Sequence, residues 1–257
     1  MAIKKKSFAL VAVLIVYFIF IFTPLFSATE YTFKNGIKSH YSLANYRWVF
    51  SQPEFGHYIL RSLWLSGLTI FISLLLLVPL QIWLHIDGAR YRKVIDVLSL
   101  FPLIIPVVVY AIGAQVAMPM AMQDTVFELP FLYAMLALPY TYRTIDIGLG
   151  AIPLKTYSEA ALSAGANWVK TIGIVILPAI RSAILAAIAL CFALSIGEFT
   201  ITSLLHWDTF PTWINDVSQG NVLGAITLSV ISLVIPILIL TLVAFVAPNG
   251  KRKATHE

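Results

Sequence analysis

The side chain with the strongest claim to chemistry in this sequence is Glu198, an acid inside the apolar run 182–205. A charge at the centre of a membrane-crossing helix costs about 2.5 to 3.5 kcal/mol on insertion scales, so such a residue does not face lipid. Cys191, Ser195, Glu198 and Thr202 follow one another at spacings of four, three and four, which sets them on one stripe of a helix. Ala189, Ala193 and Gly197 form a stripe of small residues about one helical step around. The pattern predicts a helix packed closely on a neighbour, with Ser195, Glu198 and Thr202 edging a water-accessible translocation path. Two readings of Glu198 stand. It lines the path and meets a cationic group on a solute, or it is a protonated or hydrogen-bonded acid that pins two helices together. Tyr110, Gln115, Thr227, Ser229 and Ser232 are weaker path candidates, because hydroxyls within helices commonly bond to their own backbone.

Other chemistries lack their residues. There is no G-x-x-x-x-G-K-[ST] stretch to cradle nucleotide phosphates. H-E-x-x-H is missing, and His40, His57, His85, His206 and His256 lie on different segments, so no metal site is expected. No G-x-S-x-G nucleophile elbow is present. Cys191 sits alone in an apolar run, which excludes a disulfide framework and reads as a small packing residue. Gly148-x-Gly150 is a common helix-terminal pattern and carries no functional weight.

The elements that hold these residues follow from composition. Of 257 residues, 60% are hydrophobic and 11% charged, where a soluble domain carries about 25% charged residues. The chain is an all-α integral membrane protein, read as a single membrane domain over 1–257. Its net charge of +5 is explained by distribution across the membrane rather than by nucleic acid. Apolar runs predict six transmembrane helices near 8–26, 59–86, 97–117, 130–150, 182–205 and 222–246, each near the roughly 20 residues a bilayer requires. The first follows Lys4-Lys5-Lys6 and reads as a retained helix rather than a cleaved signal. Pro79 interrupts the second, and Pro102, Pro106, Pro139 and Pro236 lie within the third, fourth and sixth. Asn35-Gly36 predicts a turn, and 41–50 an interfacial helix with Tyr46 and Trp48 at headgroup level. Short loops are expected at 87–93, which is basic, at 118–129 with Asp124 and Glu128, and at 206–221 with Trp207, Trp213, Asp208 and Asp216.

Orientation follows from Lys and Arg. Three lie at the amino end, three at 87–93, four around 155–181 and three at Lys251-Arg252-Lys253, all on one side of six spans. Only Lys34, Lys38, Arg47 and Arg61 fall opposite. Both termini and the 155–181 stretch are therefore expected to be cytoplasmic.

That stretch, KTYSEAALSAGANWVKTIGIVILPAIR, is polar enough to leave the membrane between two apolar runs. It predicts a helical hairpin in which Ser158 caps a first helix, Gly165 permits the reversal and Asn167 starts a second helix that Pro178 ends. Ala160, Ala161 and Ala164 keep one surface slim enough to enter a groove on another protein.

Glu159-Ala160-Ala161, three residues, Gly165, then Leu177-Pro178 resembles the EAA signature of ABC-transporter permeases, with Val175 where the family has isoleucine. The chain looks most like the small type I importer permeases of the polyamine, 2-aminoethylphosphonate, thiamine and iron(III) branch. The resemblance implies the type I ABC importer permease fold in a bacterial inner membrane, importing a small solute by alternating access. It also implies that Glu159, Ala160, Ala161, Gly165, Leu177 and Pro178 form the coupling element docked on an ATPase subunit. Its implied partners are two ATP-binding subunits that carry ATP and Mg, a second and distinct permease, and a periplasmic solute-binding protein. This chain would hold no cofactor of its own and would not be an enzyme. An ion-gradient-driven secondary transporter is the alternative, but it gives no reason for the EAA spacing.

Overall fold

With few charges to interrupt long apolar runs, the backbone must satisfy its own polar groups, and it does so as helix. A computed structural model describes residues 2–34, 40–123 and 125–246. The Asn35-Gly36 turn, Lys38, Asp124, the side chains of Lys4, Lys5 and Lys6, and the basic carboxyl tail lie outside what is described. The helices are α1 (Ala2–Thr32), α2 (Ala44–Ser51), α3 (Pro53–Ile86), α4 (Ala89–Leu98), α5 (Phe101–Ile104), α6 (Val107–Ala117), α7 (Glu128–Gly150) and α8 (Leu154–Ser163). After these come α9 (Trp168–Lys170), a π-helical turn (Thr171–Ile176), α10 (Leu177–Ala179), α11 (Arg181–Ile196), α12 (Thr200–Leu204), α13 (Phe210–Gly220) and α14 (Val222–Val246).

Among the described residues, four stretches are long and apolar enough to cross a membrane: Leu10–Thr32, Pro53–Ile86, Arg181–Leu204 and Val222–Leu242. Ala89–Ile104 and Val107–Ala117, bent by 103°, make a fifth if taken as one span. The expected fourth span corresponds to α7, whose 23 residues reach about 35 Å at the helical rise. It carries Glu128, Arg143 and Asp146, which makes it more polar than the rest. Two expected loops are largely helical. Only Asp87-Gly88 turns between α3 and α4, and most of 206–221 is α13.

Two spans that read as continuous are broken, the first for a local reason. Ile105 is extended (φ −80, ψ 126) because it precedes Pro106, whose ring disfavours helical geometry there. Pro106 also has no N–H to give the carbonyl of Pro102, four residues back. The Tyr110 hydroxyl donates to that carbonyl at 2.6 Å, so the bend is held by a hydrogen bond. The second break, at 197–199, separates α11 from α12.

By internal packing the chain divides into two units. Met1–His57 with Trp213–Val234 forms one. Within it, Asn45 donates to the carbonyls of Thr32 and Lys34, and the Tyr46 and Thr32 hydroxyls lie 2.9 Å apart, fastening α2 to the end of α1. Asn221 accepts from the Gly224 N–H at the start of α14, and the Trp48 ring lies where a Cβ on Gly224 would sit.

Tyr58–Thr212 with Ile235–Glu257 forms the other unit. Among its described residues it holds two apolar clusters. One gathers Leu77 and Ile82 of α3, Tyr142, Ile145 and Leu149 of α7, Leu154 of α8, and Ile176, Ile180 and Ala187. The other gathers Leu65, Tyr110, Ala114, Leu129, Leu132 and Ile201. Helices α7 and α11 are in closest approach at Gly148, where an added Cβ would stand 2.3 Å from the Ala183 Cβ.

A methyl at 148 must therefore force the two helices apart. Gly148→Ala is expected to lower thermal stability in detergent by about 1–3 kcal/mol, the usual range for overpacking. Adding Ala183→Gly should recover part of the loss, while Gly113→Ala, with nothing within 4 Å of its Cβ position, should cost nothing by overpacking. Equal melting of Gly148→Ala and the parent chain would contradict this.

Candidate functional site

The segment between α7 and α11 folds as a helical hairpin packed against α7. Helix α8 begins at Leu154, immediately after Pro153, one turn before the expected cap. Ser158 is accordingly not a cap: it is buried within α8 and donates to the carbonyl of Lys155 at 2.8 Å. The reversal occurs at Gly165, with φ +84. Its N–H bonds to the carbonyl of Leu162, and that of Ala166 to the carbonyl of Ala161, the paired bonds of a Schellman turn. Asn167 accepts the Lys170 N–H at 2.9 Å and so caps the second arm. The π-helical turn follows, with the Leu177 N–H reaching back to the Ile172 carbonyl. Pro178 has no N–H for the Ile174 carbonyl and its ring crowds that position, which suits a widened turn there. The helical path ends at Ile180 (φ −106, ψ 19).

The hairpin has two faces. Leu154, Ser158, Thr171, Ile176 and Ile180 are buried, three of them in the apolar cluster beneath α7. Glu159, Ala160, Ala164, Gly165, Pro178 and Lys170 are exposed, with Ala161 and Leu177 half-buried. Trp168 and Val169 are 44% and 79% exposed at the outer turn. Lys155 Nζ lies 4.0 Å from the exposed Glu159 carboxylate, at i, i+4 spacing. The six residues of the EAA pattern thus share one projection, and its small-residue surface is open.

Ser195, Glu198 and Thr202 do not share one continuous helix, because α11 ends at Ile196. All three are buried. Both Glu198 oxygens accept from the Ile201 N–H at 3.0 Å, and Oε2 also takes the Thr202 N–H at 3.4 Å. The carboxylate therefore satisfies the amino end of α12, which the break would leave without partners. Ser195 Oγ donates to Phe192 O, and Thr202 Oγ1 to Glu198 O and Phe199 O. Of the weaker path candidates, Thr227, Ser229 and Ser232 bond to backbone carbonyls one turn earlier. Cys191 packs with its Sγ 3.7 Å from the Ser73 hydroxyl.

At the amino end of α7, Glu128 is buried and accepts the Trp207 indole N–H at 2.7 Å, with the Arg61 guanidinium 5.7 Å above the same ring. His206, at φ 58, ends α12 in the left-handed turn that presents Trp207.

The structure also assembles a polar cluster that the spans and motifs did not announce. Asp146 of α7 is buried and receives Arg92 Nη2 of α4 at 2.7 Å. His85 Nε2 lies 3.4 Å and Arg143 Nη1 3.5 Å from the same carboxylate. One turn earlier on α7, the Tyr142 hydroxyl donates to Asp96 at 2.7 Å, and its carbonyl accepts from Gln81 at 3.2 Å. His85 Nδ1 contacts the Gln81 carbonyl at 2.9 Å. Three pairs at i, i+4 spacing meet here: 81/85, 92/96 and 142/146. That repeated spacing is the signal in the sequence that could have found the cluster.

Comparisons with known proteins add the following. Residues 68–248 match a family model described as the inner membrane component of binding-protein-dependent transport systems. A Haloferax volcanii protein named as a molybdenum ABC transporter permease is 29% identical over 158 residues, 56% of this chain and 58% of the relative. A Salmonella typhimurium protein named as the 2-aminoethylphosphonate transport system permease PhnV is 24% identical over 160 residues, 60% of each chain. The match spans about three-fifths of the length of these relatives. Among solved structures, a bacterial ABC transporter involved in importing the acidic polysaccharide alginate aligns over 94% of this chain and 95% of its own, with TM-score 0.69 and 17% identity. The alginate transporter bound to its pentasaccharide-loaded periplasmic protein aligns over 93% of each chain, with TM-score 0.66 and 18% identity. At these identities the likeness is one of fold.

The capping geometry of Glu198 has a direct consequence. Glu198→Gln keeps an oxygen for the Ile201 N–H and should melt close to the parent. Glu198→Ala leaves buried donors unpaired and should cost about 1–3 kcal/mol in a detergent melt. Equal losses in the two variants would mean that the charge, rather than the cap, is required.

Proposed function

This chain belongs to the family of binding-protein-dependent transport inner membrane components, the permeases of ABC transporters, and on that premise we propose that it is the permease subunit of an ATP-driven importer. The observation that carries the reading is the hairpin. Glu159, Ala160, Ala161, Gly165, Leu177 and Pro178 stand on one projection whose outer surface is open and whose inner residues are locked into the core under α7.

In this reading α8 and its Schellman turn enter a cleft of an ATP-binding subunit. Ala160 and Ala164 let the backbones approach, and exposed Trp168 and Val169 supply apolar area. Two such subunits hold the ATP and Mg, and this chain performs no hydrolysis. A second permease, related but distinct, completes the path, and a periplasmic solute-binding protein delivers solute at the opposite face. The chain crosses a bacterial inner membrane six times as a single domain, with α7 as the fourth crossing and both termini cytoplasmic. The basic residues Arg90, Arg92, Lys93, Lys155, Lys170 and Arg181 near the hairpin support that orientation.

Transport proceeds by alternating access: ATP-driven closure of the partner subunits displaces the hairpin, and α7 and α11 carry that displacement into the membrane. Ser195, Glu198 and Thr202 border the path as part of the broken span, with the Glu198 carboxylate engaged in the backbone of α12. The solute is small, and a polyamine or an aminophosphonate fits the branch that the sequence resembles, with selectivity held by the binding protein. The relative named for 2-aminoethylphosphonate is in keeping with that class. No observation favours a gradient-driven carrier.

Gly165 tests the reading. At φ +84 a β-branched residue is strained whatever space surrounds it. Gly165→Val should abolish co-purification of the ATP-binding subunits, or leave them bound with transport uncoupled, while the spans stay folded by circular dichroism. Intact capture together with normal uptake would sink the proposal.

A further inference from the structure

The coupling hairpin alone does not explain the buried cluster around Asp146. The carboxyl-terminal part of α7 is two-sided. Its apolar side, Ile145 and Leu149, shares one core with Leu154, Ile176 and Ile180 of the hairpin and its exit. Its polar side, Tyr142 and Asp146, makes two rungs to α4: Tyr142 to Asp96 and Arg92 to Asp146, both at 2.7 Å. The rungs pair residues four apart on each helix in opposite order, so α4 runs antiparallel to α7. Gln81 and His85 bind α3 to the same two residues in the same order, so α3 runs parallel.

Helix α4 buries none of its own residues. Val94, Val97 and Leu98 are exposed, and Ile95 is the residue of α4 that packs partly on the core. The polar rungs are therefore its principal tie to α7. Helix α4 leads, through α5, directly into the 103° bend at Ile105–Pro106 that the Tyr110 bond holds. A displacement of the hairpin has a continuous route through the α7 core, across Asp146 and Arg92, into α4 and on to the bent segment.

We propose that Asp146 is a positioning residue for transport, the joint through which movement of the coupling hairpin reaches α4 and the bend before α6. The proposal rests on the hairpin reading given above. Arg92 is the partner that carries the movement, and the Tyr142–Asp96 rung keeps α4 from pivoting about a single bond. Arg143 adds a second guanidinium 3.5 Å from a carboxylate that would otherwise be buried with one partner, and His85, 3.4 Å from the same carboxylate, sets α3 against the joint.

The test uses the full chain in complex with the ATP-binding subunits it captures, reconstituted in lipid nanodiscs. Cys191→Ser removes the native thiol, and Gly113→Cys places a reporter on α6, where a Cβ meets nothing within 4 Å. Maleimide labelling at 113 is measured with and without ATP plus vanadate, beside ATP hydrolysis and subunit stoichiometry. With Asp146 present, nucleotide should change the labelling rate several-fold. Asp146→Asn should lose most of that change while the subunits remain bound and hydrolyse ATP, and Asp146→Glu should restore it. Tyr142→Phe deletes one rung and costs only the half-buried Asp96 its donor, and should give an intermediate response even if Asp146→Asn assembles poorly. A nucleotide response unchanged in Asp146→Asn or in Tyr142→Phe, with the subunits bound, overturns the proposal alone. A parent chain that captures no ATP-binding subunit overturns the hairpin reading and this proposal with it.

Discussion

The close approach of α7 and α11 at Gly148 and Ala183 is the constraint on which the rest depends. These two helices are the roots of the hairpin, and only a residue without a Cβ lets them approach this closely. Because the roots are pressed together, Leu154, Ile176 and Ile180 close over Ile145 and Leu149 as one core. Well-packed cores deform little, so a force applied at the hairpin tip moves its roots rather than being absorbed between them. The Schellman turn at Gly165 and the Asn167 cap serve the same end by satisfying the backbone where the two arms meet.

Rigidity at the hairpin contrasts with the breaks elsewhere in the same unit. The chain interrupts two apolar stretches, at 105–106 and 197–199, and in each case a side chain repairs the backbone: Tyr110 for the Pro102 carbonyl, Glu198 for the Ile201 N–H. Unpaired backbone groups in an apolar medium cost several kcal/mol, so a break of this kind persists only with such a partner. The same economy governs Asp146, a buried carboxylate surrounded by Arg92, Arg143 and His85. On the alternating-access reading proposed above, stiff and interrupted helices tied by a few polar bonds would let the chain switch between two states without losing its fold.

Much of this was legible in residue order. Apolar runs located the helices, because a bilayer requires length and hydropathy that few other structures supply. The reversal at Gly165 and the cap at Asn167 followed from local backbone chemistry alone. Ser158 misled because Pro153 starts α8 a turn earlier, which moves the serine inside the helix. The breaks were hidden because hydropathy is blind to where a helix is interrupted. Pro102, Pro106 and Tyr110 at successive fours held that information, with each freed carbonyl one turn before its proline. The Asp146 cluster was missed for a different reason. Its members sit near the ends of separate segments, where a charge reads as interfacial, and only the fold brings the three i, i+4 pairs together. Gly148 was set aside as a terminal turn, although its importance lies in a neighbour 35 residues away in sequence.

The central claim is that the open face of the hairpin is held by an ATP-binding subunit. A photo-cross-linking amino acid at Ala160, exposed on α8, with a control at Met120, 91% exposed before α7, tests it in native membranes. The account predicts that illumination joins position 160 to an ATP-binding protein and that position 120 gives no such product. Cross-links from position 160 that contain no ATP-binding subunit, in membranes where the chain is assembled with its partners, would contradict it.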